Sequence, residues 1–468
     1  MNATPEPEAD ASSIDREFQP KVAIQGDPFA VLARCEDELR TQDRTKLPVE
    51  WANLQHRRAM ALLWIGTEVR KTVYLEEAIA AFRHSLEVWQ IDQYPHAWAR
   101  AQNQIGLTLC LLGQSRADTA HLQDAVAAHR AALSVWTRAR FPLCWSRTHC
   151  HLASALLALG RNARNAAFIE EAVSSWRQAQ EEYTYKRHGR AWESWLWVTE
   201  QIALADALRE LGRQKAGTTH LRQAAKVYLD ALAKLHADPI EYGSTMYDLG
   251  ETYLEIGART SETHPLKRAV LALRVALERH RWVRDDFPVM SADIQLMLGR
   301  ALLALGARQE NFAHYRAAIE NFGECLDLLE YAEAKNRHQG ETAPKIPRLR
   351  AKTLFSQGQA QLTLGLSVPD LRLIKAAGNS FYTALNPDLR RDWPILWAEI
   401  QHGLGSALLA AGEHAEDRER GVYLKKALLA FDAALKVLSE LRVDDGAQTL
   451  VRSLLEERAR TATAANAL

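Results

Sequence analysis

One stretch of the sequence decides the fold, and from Trp98 to Trp136 it reads WARAQNQIGLTLCLLGQSRADTAHLQDAVAAHRAALSVW. Small and apolar residues recur three and four positions apart up to Gly113, and a second run with the same spacing begins at Leu122. This spacing predicts two α-helices of about four turns each, the first of them ended by the glycine. Because neither helix can bury its apolar stripe alone, the hairpin must stack on copies of itself.

The pattern of this stretch occurs eight times along the chain. Each copy has a glycine at the predicted end of its first helix: Gly66, Gly113, Gly160, Gly212, Gly257, Gly306, Gly365 and Gly412. Seven residues before it stands an alanine or glycine: Ala59, Gly106, Ala153, Ala205, Gly250, Gly299, Gly358 and Gly405. A side chain that small at a recurrent helix position predicts that another helix presses against it.

Two further signals recur in the same register. Proline precedes seven of the eight first helices, at Pro48, Pro95, Pro142, Pro239, Pro288, Pro347 and Pro394. Proline is best tolerated at a helix start, where its missing backbone donor costs least. The second helices carry alanine, a bulky residue four positions later and usually a small one three further on, as in Ala377, Phe381 and Ala384. These spacings place all three residues on one helix face.

Taken in this order, the residues resemble the tetratricopeptide repeat (TPR) family over roughly residues 47–438. They are most similar to a longer bacterial form, with a repeat of about 47 residues, whose first helix begins near a Trp-Ala pair. The polar signature of that form is kept at Gln102 and Asn103 and is degenerate in the other copies. The resemblance implies an all-α, right-handed α-solenoid of about eight helix-turn-helix repeats with N- and C-terminal capping helices.

The domain organisation follows from this register. We predict a disordered acidic tail at residues 1–26, an N-terminal capping helix at 27–46, eight repeats at 47–440, and a C-terminal capping helix and tail at 441–468. Asp27 is the expected N-cap and Pro28 the first helical residue of the N-terminal cap. An insertion at residues 331–346 breaks the regular step and is a candidate hinge or exposed loop.

Composition restricts the partner and the compartment. Lysine plus arginine equals aspartate plus glutamate at 58 each, so no global field would attract nucleic acid. Five scattered cysteines are unlike a secreted disulfide framework and favour a reducing cytoplasm. The start of the chain lacks a signal-peptide pattern, and no uninterrupted apolar run predicts membrane insertion. We therefore expect a cytoplasmic protein, and the resemblance to the longer bacterial form of the repeat implies that it is bacterial.

No motif for catalysis is present in the sequence. There is no phosphate loop, no His-Glu-x-x-His pair and no strand pattern to support a nucleophile elbow, so an enzyme is not predicted and no cofactor is expected. Cys144, His149, Cys150 and His151 are the densest set of metal-ligating residue types. Neighbouring residues on a helix point about 100° apart, so this set is not expected to converge on one ion. We predict no metal site.

The family resemblance implies that the first helices line a concave face. The predicted binding residues on repeats 1–3 are basic or polar: Asn53, His56, Arg57, Arg100, Asn103, Arg147 and His151. On repeats 4 and 5 they are acidic: Asp206, Glu210, Asp248, Glu251 and Glu255. Arginine presents a planar fork suited to carboxylates, so the basic part is expected to take an acidic segment of a partner. The alternative is a solvated face whose charges only aid solubility.

The predicted function is a non-enzymatic scaffold or adaptor that binds a protein or peptide segment. Two alternatives remain open from the sequence: a self-associating structural solenoid, or a regulatory partner of a separately encoded enzyme or effector. Trp192 and Trp195 fall outside the repeat register and are candidate partner contacts.

Overall fold

The computed structural model describes residues 26–182, 195–235, 239–339, 345–441 and 445–466. Nearly all of these residues are helical, and the described part of the chain contains no strand. The fold class is therefore the predicted one, an all-α solenoid built from tandem helical hairpins. The chain divides into two compact units, Met1–Leu235 and His236–Leu468. Residues 1–25, predicted as an acidic tail, lie outside the described residues.

The first unit has a leading helix followed by four described hairpins. Its helices are α1 (Pro28–Thr41), α2 (Pro48–Glu68), α3 (Thr72–Leu86), α4 (Pro95–Arg116), α5 (Thr119–Val135), α6 (Pro142–Asn162), α7 (Ala166–Glu182), α8 (Trp195–Gln214) and α9 (Thr219–Leu232). Consecutive helices α2 and α3, α4 and α5, α6 and α7, and α8 and α9 pack as antiparallel pairs, and α1 packs on α2.

The second unit also contains four hairpins within its described residues. Its helices are α10 (Pro239–Arg259), α11 (His264–His280), α12 (Pro288–Gln309), α13 (Phe312–Gln339), α14 (Lys345–Ser367), α15 (Leu371–Ala384), α16 (Pro387–Asp392), α17 (Pro394–Glu413), α18 (Asp417–Glu440) and α19 (Asp445–Asn466). The hairpins pair α10 with α11, α12 with α13, α14 with α15, and α17 with α18, while α19 packs against α18.

The helix starts agree with the sequence signals. The side chain of Asp27 accepts a hydrogen bond from the backbone nitrogen of Phe29 at 3.2 Å, so it caps α1 as predicted. Six of the seven recurrent prolines are the first residue of a first helix, and Pro347 is the third residue of α14. Proline therefore fixes the register of the first helices.

The predicted role of the recurrent glycines as helix ends is wrong. Helix α2 continues beyond Gly66 to Glu68, and α4 continues beyond Gly113 to Arg116, so the first helices have 20 to 23 residues. Helix α4 ends instead at Arg116, and the next residue, Ala117, has a left-handed φ of 52°. The glycine makes room for a side chain of the second helix, since a Cβ on Gly113 would lie 2.8 Å from Leu122 Cγ.

The predicted close approach at the small residue seven positions earlier is confirmed. A Cβ on Gly358 would lie 2.7 Å from Phe381 Cε1, and a Cβ on Gly106 would lie 2.7 Å from His129 Cε1. Phe381 and His129 occupy the bulky position of their second helices and are both fully buried. The small residue and the bulky residue of each hairpin are therefore complementary parts of one contact.

The insertion predicted as a hinge or exposed loop is largely helical. Residues 331–339 continue α13, Ala332 is buried, and the Lys335 ammonium donates to the backbone oxygen of Asp285 at 2.7 Å. The run Glu330–Lys335 consists mainly of good helix formers, which explains the extension. Residues 340–344 lie outside the described part of the chain. The alanine-rich end, predicted as a tail, belongs to α19 as far as Asn466.

Helix α12 is long and apolar enough to span a membrane by length and composition, with a mean hydropathy of 1.3 over its most apolar window. Of that window, 67% is buried inside the protein. A helix that is mostly buried in the core of a protein meets the same criteria. The burial of α12 therefore accounts for its hydropathy.

Candidate peptide-binding site

The side chain of Asn103 connects three helices of the first unit. Its carbonyl oxygen lies 3.0 Å from His129 Nδ1 and 3.3 Å from His151 Nδ1. An amide carbonyl can only accept, so each histidine must carry its proton on Nδ1 and donate it to Asn103. Because Asn103 lies on α4, His129 on α5 and His151 on α6, these bonds connect the second hairpin to the third.

His129 was not among the residues predicted for the site. It occupies the bulky position of α5, where the other second helices carry residues such as Phe82, Trp176 and Phe381. Gly106 on the facing helix leaves the space that the imidazole ring fills. A histidine in a register position otherwise held by apolar residues is the sequence signal that could have identified it.

Burial keeps the two histidines neutral. It lowers the pKa of His129 to about 3, and it lowers the pKa of His151 well below its usual value, with the nearby Arg147 and His129 acting in the same direction. At neutral pH the two imidazoles therefore act as dipolar hydrogen-bond donors to Asn103, and the cluster derives its positive charge from its arginines.

We expect His129→Phe to reduce the sensitivity of the protein to acid. In the unfolded chain His129 protonates near pH 6.5, whereas in the folded protein it stays neutral down to about pH 3. The unfolded state binds more protons between these values, so stability falls as the pH is lowered through that window. The variant should lose about 2 kcal/mol less than the wild type between pH 7 and pH 5. Urea denaturation at both pH values measures this.

The exposed His84 provides the control for that experiment. His84→Asn removes an exposed imidazole instead of a buried one, and it should leave the difference between the two pH values unchanged. An equal acid sensitivity of His129→Phe and the wild type would contradict the assignment of a buried neutral imidazole.

Several polar atoms of this cluster are buried without a hydrogen-bond partner among the described residues. They are Nδ2 of Asn103, both Nε and Nη1 of Arg147, and Nε2 of His129, which is an acceptor when the proton is on Nδ1. Asn103 is 1% exposed and Arg147 is 7% exposed. A buried donor without an acceptor costs about 1 to 3 kcal/mol, and more if it carries charge. The folded protein therefore holds three buried donors, on Asn103 and Arg147, that have no acceptor among the described residues.

Arg100 and His56 form a similar arrangement one hairpin earlier. The Arg100 guanidinium lies over the ring of Trp89, 5.2 Å from its centroid, and His56 packs against Trp89 and Phe82 at centroid distances of 5.3 and 5.1 Å. Burial and the Arg100 charge lower the pKa of His56 well below its usual value. Aromatic packing therefore holds the arginine in place, as in many binding sites.

Asn53 and Arg57, the other two residues predicted for the basic part of the binding face, are exposed on α2. Arg57 is near enough to the Cys35 thiol of α1 to oppose the rise in pKa that burial of that thiol produces. Arg57 is therefore placed toward the leading helix, whereas Arg100 and Arg147 are associated with buried histidines.

The predicted acidic residues of the first unit are engaged by neighbours on the same unit. Asp206 accepts hydrogen bonds from the Tyr228 hydroxyl and, at 3.2 Å, from Arg209. Glu210 accepts from Gln214 at 3.1 Å and lies 3.8 Å from Arg213. Local partners therefore satisfy a large part of their hydrogen-bonding capacity.

In the second unit, the predicted residues Asp248, Glu251 and Glu255 are half-buried on α10. Next to Glu251, the Tyr247 hydroxyl donates to Asp293 at 3.1 Å. Burial raises the pKa of Asp293, and the Glu251 charge adds to the rise. The acidic residues of this unit thus belong to a larger group of side chains that also includes Tyr247 and Asp293.

The sequence interpretation missed three charged residues of this second unit. Asp293, Lys352 and Glu399 stand six residues before the small residue of their first helices, as Arg100 and Arg147 do. Burial lowers the pKa of Lys352, with Arg348 and Arg300 adding to the effect, and burial raises the pKa of Glu399. The shared register position is a signal that could have predicted all three.

The remaining predictions concern partner contacts by two tryptophans and the metal-ligating residue types. Trp192 and the side chain of Trp195 lie outside the described residues, so their predicted contact with a partner stays a prediction. Among the described residues, no three histidine, cysteine, aspartate or glutamate side chains are grouped closely enough to hold a metal ion. Cys144 and Cys150 are buried in α6.

Comparison with known proteins identifies no family for this chain. No protein-family model matches it, and no curated protein matches it. The apo form of RapI has 12% identity and a TM-score of 0.42, with 88% of this chain and 98% of that chain covered. A signal transduction ATPase with a tetratricopeptide repeat sensor from Pyrococcus horikoshii has 12% identity and a TM-score of 0.38 over 94% of this chain and 67% of that chain.

A dimer of human IFIT1 with PPP-AAAA has 16% identity and a TM-score of 0.27, with coverage of 89% of this chain and 98% of that chain. These identities and TM-scores are too low to assign a family, a partner or an activity. The hairpins of this chain are helical repeats in which a small residue on the first helix meets a bulky one on the second.

Proposed function

We propose that this protein is a non-enzymatic scaffold that binds a protein or peptide segment through a carboxylate group held by Asn103 and Arg147. The observation that carries the proposal is the buried guanidinium of Arg147, whose Nε and Nη1 have no hydrogen-bond partner among the described residues. The proposal includes membership of the long bacterial TPR form and a cytoplasmic location. The five cysteines, all buried as thiols, are compatible with a reducing compartment.

The chemistry of the cluster favours a carboxylate over other groups. Three of the four unpaired atoms, Asn103 Nδ2 and the two Arg147 nitrogens, are donors, and only His129 Nε2 is an acceptor. The Asn103 carbonyl is already occupied by two histidines. A carboxylate offers only acceptors, and its two oxygens match the fork of a guanidinium. Charge-assisted hydrogen bonds of this kind are about twice as strong as neutral ones.

The surroundings favour a chain-like ligand. Asn53 and Arg57 on the preceding hairpin are exposed and can contact further residues of the same segment. Rigid helical hairpins hold these side chains in place before binding, so little ordering cost falls on the scaffold. We propose that Asp206 and Glu210 in the first unit, and Asp248, Glu251 and Glu255 in the second, bind basic residues of partners.

The test is a comparison of Arg147→Gln and Arg147→Glu with the wild type. A synthetic array of peptides that carry aspartate or glutamate, each paired with its asparagine or glutamine counterpart, supplies the probes. We expect the wild type to prefer the acidic member of a pair and Arg147→Glu to weaken that binding by roughly 10- to 100-fold. The exposed Arg83 on α3 provides the matched control, and Arg83→Gln should bind as the wild type does.

Stability distinguishes a binding role from a structural one. If Arg147 is held for a ligand, Arg147→Gln removes a poorly satisfied buried charge and should not lower the melting temperature of the ligand-free protein. Equal binding of both members of every peptide pair, or a large loss of stability in Arg147→Gln, would contradict the proposed function.

A further inference from the structure

The last two hairpins of the second unit enclose an apolar groove of about 600 Å³ between α15, α17 and α18. Leucine and alanine side chains of α17, including Leu404, Ala407 and Leu408, form much of its lining. On α15 the groove is lined at Gly378, where a Cβ would meet only Ala407 at 4.0 Å. We call this feature the apolar groove. Its volume lies within the range of about 300 to 1,000 Å³ typical of binding clefts.

The charges at the apolar groove have one sign. Lys375 on α15 and Lys426 on α18 line it, and no aspartate or glutamate is among its described lining residues. Both lysines are exposed, and neither forms an ion pair within the described part of the chain. Two lysines beside an apolar surface are complementary to a partner that has apolar residues flanked by acidic ones.

The first unit has an ion pair at the corresponding place between two consecutive second helices. There, Arg130 on α5 contacts Glu171 on α7 at 2.5 Å, which ties two consecutive second helices together. Arg130 stands five residues after the recurrent alanine of α5. Glu171 stands one residue before the recurrent alanine of α7. The next pair at these positions, Arg177 and Gln223, is also hydrogen-bonded, at 3.4 Å.

At the junction of α15 and α18, the same two register positions hold Tyr382 and Lys426. A phenol and an ammonium group cannot form the ion pair that arginine and glutamate form. The two helices contact each other here through the Lys375 ammonium of α15, which lies 5.9 Å from the centroid of the Tyr423 ring of α18. Tyr382 is 72% exposed, and Leu429, which also lines the groove, is 69% exposed. Large apolar side chains are therefore presented at the place where the first unit has an ion pair.

We propose that the apolar groove binds an amphipathic α-helix of a partner protein, with the acidic residues beside its apolar stripe facing Lys375 and Lys426. An amphipathic helix fits because its apolar stripe can fill a groove walled by three helices while its backbone hydrogen bonds stay satisfied. This inference goes beyond the proposed function, since it concerns another unit, other residues and a mainly apolar contact.

The probe is a fluorescein-labelled synthetic helix of about four turns, with leucines on one face and glutamates beside them. Fluorescence anisotropy with the full chain should show saturable binding. A second helix, with lysine in place of every glutamate, should bind roughly fivefold to tenfold more weakly, because two favourable charge contacts are lost. Equal binding of the two helices would overturn the proposal.

A variant that restores the ion pair between the second helices tests whether the probe binds in the apolar groove. The double substitution Tyr382→Arg with Lys426→Glu recreates the pair found at Arg130 and Glu171 and should close the groove without loss of stability. We expect this variant to bind the glutamate helix at least tenfold more weakly than the wild type. The Arg147→Gln variant should bind that helix normally, so the failure of one proposal is distinguishable from the failure of the other.

Light scattering of the wild type and the double variant tests whether a second copy of this chain occupies the groove. We expect the same mass for both, because the proposed occupant is a different protein. A dimer that becomes a monomer in the double variant, or undiminished binding of the glutamate helix to that variant, would overturn the proposal.

Discussion

Replacing Phe381 by alanine is expected to lower the free energy of unfolding by about 3 to 5 kcal/mol. Phe381 is fully buried in a cluster that includes Leu354 and Ile400. Its ring also fills the space left by Gly358 and Gly403, where an added Cβ would lie 2.7 and 2.6 Å from the ring. Backbone on two sides cannot collapse into the cavity, so the cost should be at the upper end of this range.

The adjacent residue supplies the control for this experiment. Tyr382 is 72% exposed, and Tyr382→Ala should change the free energy of unfolding by no more than about 0.5 kcal/mol. Urea denaturation followed by circular dichroism measures both variants. Similar losses for the two substitutions would contradict the assignment of Phe381 as the residue that joins hairpins in this region.

Placing a leucine at Gly358 is expected to cost about 3 kcal/mol, which is the upper part of the range for overpacked cores. Three ring atoms of Phe381 would lie between 2.7 and 2.9 Å from the first added carbon. The gain in helix propensity over glycine, about 0.8 kcal/mol, is too small to offset this clash.

Gly323 provides the matched control, because it lies within α13 and an added Cβ would meet nothing within 4 Å. Gly323→Leu should therefore be neutral or stabilising by up to about 0.8 kcal/mol. The double variant Gly358→Leu with Phe381→Ala should lose less than the sum of the two single losses, because the new side chain enters the cavity left by the ring. Strict additivity would show that the two positions do not touch.

Much of the fold could be predicted from the sequence because each hairpin repeats the same local pattern. The prolines at helix starts and the pairing of Gly358 with Phe381 follow from positions that recur in a fixed register. Helix ends were predicted less well, since Gly113 is required for contact with Leu122 rather than for a turn. A glycine has the same sequence signature in both roles, and only the packed partner distinguishes them.

The candidate site was predicted only in part. Spacing placed Asn103, Arg147 and His151 near one another as polar residues of the first helices, but it could not show how deeply they are buried. His129 belongs to a second helix, and its bond to Asn103 spans 26 residues of sequence. Helical periodicity relates residues within one helix, so it carries no information about which residue of the next helix comes within bonding distance.

The sequence by itself determined the class of fold, the register of the hairpins and the small positions against which another helix presses, because these depend on periodicity and side-chain size. The tertiary structure alone decided that the Arg147 guanidinium is buried without a full set of partners and that Tyr382 and Lys426 line an apolar groove. Both features depend on distances between different helices. Such distances are set by the packing of whole side chains, which no local pattern encodes.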